Sequence, residues 1–316
     1  MRIFVAVLVL SLVVNCRPDN TGNGAAGTQT TSSTTRTLPY DRAFNTLAQQ
    51  GAFNGSVLVA LPDTVFEQSY RMAGAPEPMH LSSSWRYPIA ELNQLLLRAA
   101  YFRLADQGRI DLNGAIGTAS PVSISDADFG GDQTAVINYR MLLDHRAGLP
   151  ERLVGSAITR LVSQPGIEEH YSPLGFDLLA RMLAERLGTS VSEAIRVLVL
   201  EPAQMSNTGV LTAGAPPPVL AKAYTDAPGT LTQLSLKQVL DTASALPEYY
   251  STITDLFYLA QWMPASAYLR GELRQPGVRP GYRAYFEAQE DGSKTVVVLS
   301  NFAGTDLSEV RRIVSK

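Results

Sequence analysis

Strand-forming segments lie near both ends of this chain, and this distribution restricts the fold more than any other feature of the sequence. Residues 53–60 (FNGSVLVA) have the pattern of a buried strand, and residues 65–72 can return as a hairpin partner after the turn signal Pro62-Asp63. Near the other end, residues 282–289 and 295–301 have strand patterns separated by a short turn. The simplest arrangement pairs both ends of the chain in one antiparallel sheet.

The segment between these strands is mostly helical, because apolar residues recur there at helical spacing. Two of its helices stop before Gly108 and Gly188, and glycine is the residue that most often follows the end of a helix. The helices predicted in the middle of the chain are residues 89–107, 174–187, 191–199 and 253–262. Helices are also predicted at 40–50 and 306–314, with Thr305 as the cap of the last one. The sequence thus predicts an α/β (α+β) fold, in which helices flank an antiparallel sheet that carries an inserted helical subdomain.

The composition excludes several classes of protein. With 45% hydrophobic and 17% charged residues, the chain can bury a sizeable core. Its net charge of −3 provides no basic surface, so nucleic-acid binding has no support. A single cysteine rules out a disulfide framework and a cysteine-rich zinc site, and His80 and His170 show no ligand spacing with each other or with Cys16. The sequence therefore implies neither a metal nor a cofactor.

The first residues have the pattern of an export signal. Arg2 precedes an apolar run over residues 3–14, which is shorter than the roughly 20 residues that a membrane-spanning helix needs. Cys16, the only cysteine, follows almost directly, and the arrangement resembles a bacterial lipoprotein signal. This resemblance implies a lipid on Cys16 and a periplasm-facing or surface lipoprotein of the bacterial cell envelope. Secretion without a lipid and a cytosolic chain are the alternatives.

Three segments are expected from this pattern. Residues 1–15 form the signal peptide, and residues 16–38, which are rich in Gly, Ser and Thr, form a flexible tether. The folded domain covers residues 39–316. Its sheet part is expected at about 39–88 and 265–316, and its helical part at about 89–264.

Six stretches of the folded part resemble one known family and occur in that family's order. They are 53–60 (FNGSVLVA), 87–90 (YPIA) with 104–112 (LADQGRIDL), 141–150 (MLLDHRAGLP), 171–176 (YSPLGF) with 201–205 (EPAQM), 250–256 (YSTITDL), and 280–282 (PGY) with 296–301 (VVVLSN). The family is the serine β-lactamase-like or penicillin-binding-protein-like family, which includes class C β-lactamases, D-alanyl-D-alanine peptidases and related esterases. The resemblance implies a sheet domain built from both chain ends, with an inserted helical domain.

The family's nucleophile and base motif is altered in this sequence. The family uses Ser-x-x-Lys at a helix start, which places a serine nucleophile and its basic lysine one turn apart. The resemblance places Glu91 at the serine position and Gln94 at the lysine position. No serine in the chain is followed by a lysine three residues later, so another register does not restore the motif.

The other two motifs are altered as well. The family's Tyr-x-Asn corresponds to Tyr171 and Pro173, so the tyrosine is kept and the asparagine is lost. Its Lys-Thr-Gly or His-x-Gly, placed by the resemblance on an inner strand, corresponds to Gln275 and Gly277, which leaves the position without a cation. His145, in the loop after a predicted helix, is predicted to be structural.

These changes favour a catalytically inactive member of the family, anchored at the envelope and acting as a binding or scaffold module. Its cleft would hold a peptidoglycan-like, peptide or ester ligand, or a protein partner. The alternative is an active β-lactamase, D-Ala-D-Ala carboxypeptidase or esterase with a rearranged site, built on Glu91 with Tyr171 or on a serine of residues 82–84. A third hypothesis is an interaction lipoprotein that uses its outer surface.

Overall fold

The fold is given by a computed structural model that describes residues 39–75, 84–227, 230–240 and 244–315. The predicted signal peptide, Cys16, the predicted tether, His80, Ser82 and Ser83 lie outside the described residues. The described strands are β1 (Gly55–Leu61), β2 (Thr64–Tyr70), β3 (Tyr87–Pro88), β4 (Ser123–Asp126), β5 (Gly131–Asp132), β6 (Ala157–Ile158), β7 (Gly209–Val210), β8 (Ala223–Ala227), β9 (Thr230–Leu234), β10 (Tyr249–Ser251), β11 (Glu272–Arg279), β12 (Tyr282–Gln289) and β13 (Thr295–Ser300).

Helices occupy most of the middle and both ends of the described chain. The α-helices are α1 (Pro39–Gln49), α2 (Asn93–Asp106), α3 (Tyr139–Leu143), α4 (Pro173–Leu187), α5 (Val191–Ile195), α6 (Leu236–Val239), α7 (Ile253–Trp262) and α8 (Leu307–Val314). Tighter 3-10 turns lie at Ala90–Leu92, Gly117–Ala119, Ala127–Phe129 and Ala265–Ala267, and a π-turn at Arg196–Leu200 continues α5. Among the described residues, no helix is both long and apolar enough to cross a bilayer.

The main sheet is antiparallel and has five strands in the order β11-β12-β13-β1-β2. The central pairing joins the two ends of the chain, with Val57 opposite Val298. The predicted fold class, an antiparallel sheet flanked by helices, is therefore confirmed. β11 lies at the edge of the sheet, so the expectation of an inner strand for Gln275 and Gly277 is wrong.

Both faces of β1 and β13 are covered, which explains why residues 57–60 and 296–299 are apolar without interruption. Successive side chains point to opposite faces, so Val57 and Val59 of β1 pack with Phe44 of α1 and Val310 of α8. The intervening Leu58 packs into the larger core that contains α2 and the other central helices. The helix α2 is thus held against the face of the sheet to which Leu58 points.

Two predicted helix starts are displaced. The predicted helix at 89–107 begins as an α-helix only at Asn93, because Ala90 has a φ of 51°, which an α-helix cannot accommodate. Thr305 is not the cap of α8. Asp306 is the cap, and its carboxylate accepts from Ser308 N at 2.8 Å, while the Thr305 hydroxyl lies 2.8 Å from Ser300 Oγ.

Candidate functional site

The candidate site lies where the turn Ala90–Leu92 meets the edge strand β11. A side chain at Gly277 would place its Cβ 3.1 Å from Ala90 Cβ, from Ile89 O and from Leu92 Cδ1. Glycine is therefore what lets the backbone of β11 come this close to the turn. This close approach positions Glu91, the residue after Ala90, beside β11.

Glu91 binds the backbone of β11. Its Oε2 accepts a hydrogen bond from Val278 N at 2.6 Å, and its Oε1 lies 3.8 Å from Arg279 Nη1. Backbone N–H groups alternate along a strand, so the nitrogens of Pro276 and Val278 point to the same side, away from β12. Pro276 therefore costs the sheet no hydrogen bond, and Val278 provides the donor on this side. The sequence reasoning missed Val278, because an apolar side chain gives no signal for a backbone donor.

A buried carboxylate holds the turn in place. Glu248, which is 6% exposed, accepts from Ala90 N at 3.0 Å and from Arg279 Nε at 2.7 Å. Burial raises the pKa of Glu248, and the neighbouring Arg279 opposes that shift. Arg279 therefore lies between Glu248 and Glu91. The sequence reasoning also missed Glu248, which lies more than 150 residues from Glu91 and in no recognised motif.

Gln94 and Tyr171 are hydrogen-bonded partners. Gln94 Nε2 donates to the Tyr171 hydroxyl at 3.1 Å, whereas Gln94 Oε1 is buried and has no hydrogen-bond partner among the described residues. Partial burial raises the pKa of Tyr171, and the nearby negative charge of Glu91 raises it further. The hydrogen bond from Gln94 acts in the opposite direction and lowers this pKa. The phenol is therefore protonated at neutral pH and cannot act as a phenolate base. Gln94 has no acid–base chemistry.

Pro173 and Gln275 complete the set of predicted site residues. Pro173 is the first residue of α4, a position where its missing N–H costs no helical hydrogen bond. Gln275 donates from Nε2 to Pro276 O at 3.2 Å, and it lines the same cavity of about 260 Å³ as Gln94. The structure therefore brings Glu91 and Gly277 together where the turn Ala90–Leu92 meets β11. It brings Gln94 and Gln275 together in the lining of the cavity. Among the residues that the structure describes, no group of three or more potential metal ligands is present.

His145 supports Tyr171. Its ring lies 4.7 Å from the Tyr171 ring and 5.1 Å from the Phe176 ring, measured between centroids. Its Nδ1 accepts from Ser172 N at 3.3 Å, which fixes the tautomer that carries the proton on Nε2. Burial, and then the charge of Arg98, lower the pKa of His145 from 6.5 to about 4. These contacts agree with the predicted structural role.

Acid should therefore destabilise the protein through His145. Its pKa is lower in the folded than in the unfolded chain, so the stabilisation is complete above pH 6.5 and is lost as the pH falls towards 4. We expect His145 to contribute a loss of up to about 1.4 kcal/mol in the free energy of unfolding per pH unit in this window. Urea unfolding at pH 7.5 and 5.0 measures the change.

His145→Asn is the matched control for this prediction. The backbone φ at His145 is 55°, which asparagine tolerates, and the amide oxygen can still accept from Ser172 N. The variant should lose distinctly less stability between pH 7.5 and 5.0 than the natural chain. Equal losses in the two proteins would contradict the assignment to His145.

A family model identifies the class of protein to which this chain belongs. The family model described as Beta-lactamase matches residues 41–257, which is more than half of the chain. The chain therefore belongs to the beta-lactamase family, as the sequence motifs predicted. Of the serines at 82–84, which the sequence offers as alternative nucleophiles, only Ser84 lies among the described residues.

The chain resembles curated proteins in sequence and solved structures in fold. The D-alanyl-D-alanine-carboxypeptidase/endopeptidase AmpH of Escherichia coli (strain K12) is 27% identical over 139 residues, which cover 38% of this chain and 35% of that protein. The chain thus spans about a third of the length of the curated relatives it matches. A crystal structure of a penicillin-binding protein from Bacillus halodurans has a TM-score of 0.67 at 16% identity, covering 86% of this chain and 99% of that one. A D-stereospecific amidohydrolase from Streptomyces sp. has a TM-score of 0.66 at 15% identity, covering 87% and 97%.

Proposed function

We propose that this chain is a catalytically inactive member of the beta-lactamase family that acts as a binding or scaffold module at the bacterial cell envelope. Its cleft holds a peptidoglycan-like, peptide or ester ligand, or a protein partner. One observation carries the proposal: the Glu91 carboxylate accepts the hydrogen bond of Val278 N at 2.6 Å. The Glu91 carboxylate thereby occupies the backbone N–H group of Val278, which faces the candidate site.

This contact opposes acyl transfer for two reasons. Acyl transfer needs backbone donors that are free to bind the negative oxygen of the tetrahedral intermediate. Here the donor is already engaged, and the Glu91 charge would repel a second negative oxygen next to it. A carboxylate is also a far weaker nucleophile than a serine activated by a base.

The surrounding groups do not replace the missing base. Gln94 is neutral at every pH, and Tyr171 keeps its proton at neutral pH because its pKa is raised. Gln275 is a second neutral amide, and it bonds to the backbone of its neighbour. These features support a binding role for the cleft over the alternative in which Glu91 and Tyr171 activate water.

Turnover measurements test the proposal against that alternative. The natural full chain should hydrolyse p-nitrophenyl acetate and a chromogenic cephalosporin no faster than the buffer does, and Glu91→Gln should behave in the same way. Glu185→Gln, at an exposed position of α4, is the matched control. Hydrolysis above background that disappears in Glu91→Gln and persists in Glu185→Gln would overturn the proposal and establish the rearranged enzyme.

Anchoring at the envelope is the second part of the proposal, and it rests on Cys16 after the apolar run of residues 3–14. A covalently attached lipid contributes membrane affinity in proportion to the acyl carbons that it buries, and stable anchoring takes more than one acyl chain or a second signal. We expect the natural chain in the membrane fraction of bacterial cells and Cys16→Ala in the soluble fraction. The same distribution for both proteins would contradict lipid anchoring.

A further inference from the structure

The group that fills the candidate site is a carboxylate of the chain itself. Glu91 Oε2 accepts from Val278 N at 2.6 Å, and Glu91 Oε1 lies 3.8 Å from Arg279 Nη1. A backbone N–H group next to a guanidinium group is a donor set that suits a carboxylate, because both groups form charge-assisted hydrogen bonds with it. The contact therefore has the chemistry of a receptor with a bound carboxylate, in which Glu91 takes the place of the ligand.

The donors of this contact are held in position by groups other than Glu91. Val278 lies within β11, and the pairing of β11 with β12 fixes the backbone on both sides of it. The buried Glu248 accepts from Arg279 Nε at 2.7 Å and keeps the guanidinium group beside the strand. A set of donors that is already ordered binds a ligand without the cost of ordering it. The donors should therefore stay in place when the Glu91 carboxylate is removed.

The charges around the contact balance only when Glu91 is included. The positive groups are Arg279 and Arg283, and the second negative group is Glu248. Burial lowers the pKa of Arg283, and the negative charge of Glu91 opposes this shift, so the two groups are close together. Glu151, the other carboxylate near the cleft tyrosine, is exposed, and water and salt screen its charge. Without Glu91, two arginines face one buried carboxylate, and the excess positive charge attracts an anion.

Solvent reaches this contact from the cleft. The side chain of Glu91 is 25% exposed and that of Arg279 is 17% exposed, so a small anion can approach the donors from outside. The turn that brings Glu91 here depends on Ala90, whose φ of 51° is unfavourable for alanine and whose N–H is bound by Glu248 at 3.0 Å. Such backbone strain persists only where the surroundings impose it, and it is concentrated at functional sites.

We propose that Val278 N and Arg279 form a carboxylate-binding site that Glu91 fills as an internal, displaceable ligand. An external carboxylate binds there only in place of Glu91, because two carboxylates side by side repel each other. Glu91 is thus autoinhibitory, since it lowers the affinity of the cleft for every external carboxylate. This inference rests on the proposed binding role of the cleft, and it names carboxylate-bearing molecules as the class of ligand.

Acetate binding to the full chain with Glu91→Ala tests the inference. The substitution removes a CH₂–COO⁻ group, and acetate is an ion of nearly the same size that can take its place. With acetate replacing chloride at constant ionic strength and pH 7.5, the unfolding temperature of the variant should rise by about 2–3 °C at roughly ten times the dissociation constant. The concentration dependence of this rise gives the affinity. The natural chain should bind acetate at least ten-fold more weakly, because Glu91 competes for the same donors.

Further probes and variants separate this site from general effects of salt. Acetamide and methylammonium, which are a neutral molecule and a cation of similar size, should not stabilise Glu91→Ala. Glu185→Ala, at an exposed position of α4, is the matched control and should respond to acetate as the natural chain does. Glu91→Gln keeps the volume of the side chain and an acceptor for Val278 N, but it loses the charge. Its affinity for acetate should lie between those of the natural chain and Glu91→Ala.

A last variant tests the backbone donor. Val278→Pro removes the N–H group, and the sheet loses no hydrogen bond because this group points away from β12 at the edge of the sheet. Combined with Glu91→Ala, it should abolish the response to acetate in a protein that circular dichroism shows to be folded.

Four results would each overturn the inference: no response of Glu91→Ala to acetate, equal affinities in Glu91→Ala and the natural chain, an equal response to acetamide, or a full response in the folded variant with Val278→Pro. Turnover of an ester by the natural chain, or a covalent adduct on one of its serines, would overturn the inactive assignment instead. The two failures are therefore distinguishable.

Discussion

Arg98→Met is expected to lower the free energy of unfolding by about 3–5 kcal/mol, the usual cost of removing one partner of a buried ion pair. Arg98 is 5% exposed and donates to Ala267 O at 2.7 Å, to Leu143 O at 2.8 Å and to Asp144 Oδ1 at 2.8 Å. Methionine keeps the aliphatic volume of the side chain. It removes the hydrogen-bond donor of Ala267 O and Leu143 O, and it removes one of the positive charges that pair with the buried Asp144 carboxylate. Urea unfolding at pH 7.5 measures the loss.

Two further variants separate the ion pair from general damage to the core. Arg109→Gln removes a charge from an exposed position just beyond α2 and should change the free energy of unfolding by less than about 0.5 kcal/mol. Arg98→Met combined with Asp144→Leu should lose less than the sum of the two single variants, because no unpaired charge remains from the pair. A loss below about 1 kcal/mol in Arg98→Met would contradict the assigned role.

The double variant Glu91→Ser, Gln94→Lys is expected to gain a covalent adduct with a fluorophosphonate, which the natural chain lacks. Removing the carboxylate frees Val278 N, and the introduced serine lies at the contact with β11. The introduced lysine enters a position that is 5% exposed, where burial favours its neutral, basic form. Intact-mass spectrometry detects the bound phosphonyl group directly.

The single variant Gln94→Lys is the control for this gain, because it has the base and no nucleophile. It should remain unlabelled under the same conditions. An unlabelled but folded double variant would contradict the correspondence between Glu91 and the nucleophile position. A label on Gln94→Lys alone would show that another residue reacts.

The sequence predicted the architecture well because the decisive signals are local. An uninterrupted apolar run such as residues 57–60 (VLVA) is typical of a strand that is covered on both faces, and Val57, Leu58 and Val59 pack alternately into the two cores. Gly188 ends α4 with a φ of 63°, as glycine spacing predicted. The helix α2 begins later than the sequence predicted, because Ala90 has a left-handed backbone conformation. An alanine in the sequence does not indicate such a conformation.

The candidate site was predictable only in part. Motif positions identified Glu91, Gln94 and Tyr171, and the structure places each of them near the turn or the cavity. The partners of these residues come from distant segments, because Val278 lies on β11 and Glu248 lies just before β10. Such contacts depend on tertiary packing, and no local pattern in a single sequence indicates them.

The most direct test of the central claim is intact-mass analysis of the natural full chain after incubation with a reactive penicillin and, separately, with a fluorophosphonate. We expect an unchanged mass in both cases, because Glu91 occupies the donor at Val278 and, among the described residues, the neutral Gln94 stands at the position of the family's lysine. A stoichiometric adduct mapped to a serine of the natural chain would contradict catalytic inactivity and establish an acylating enzyme.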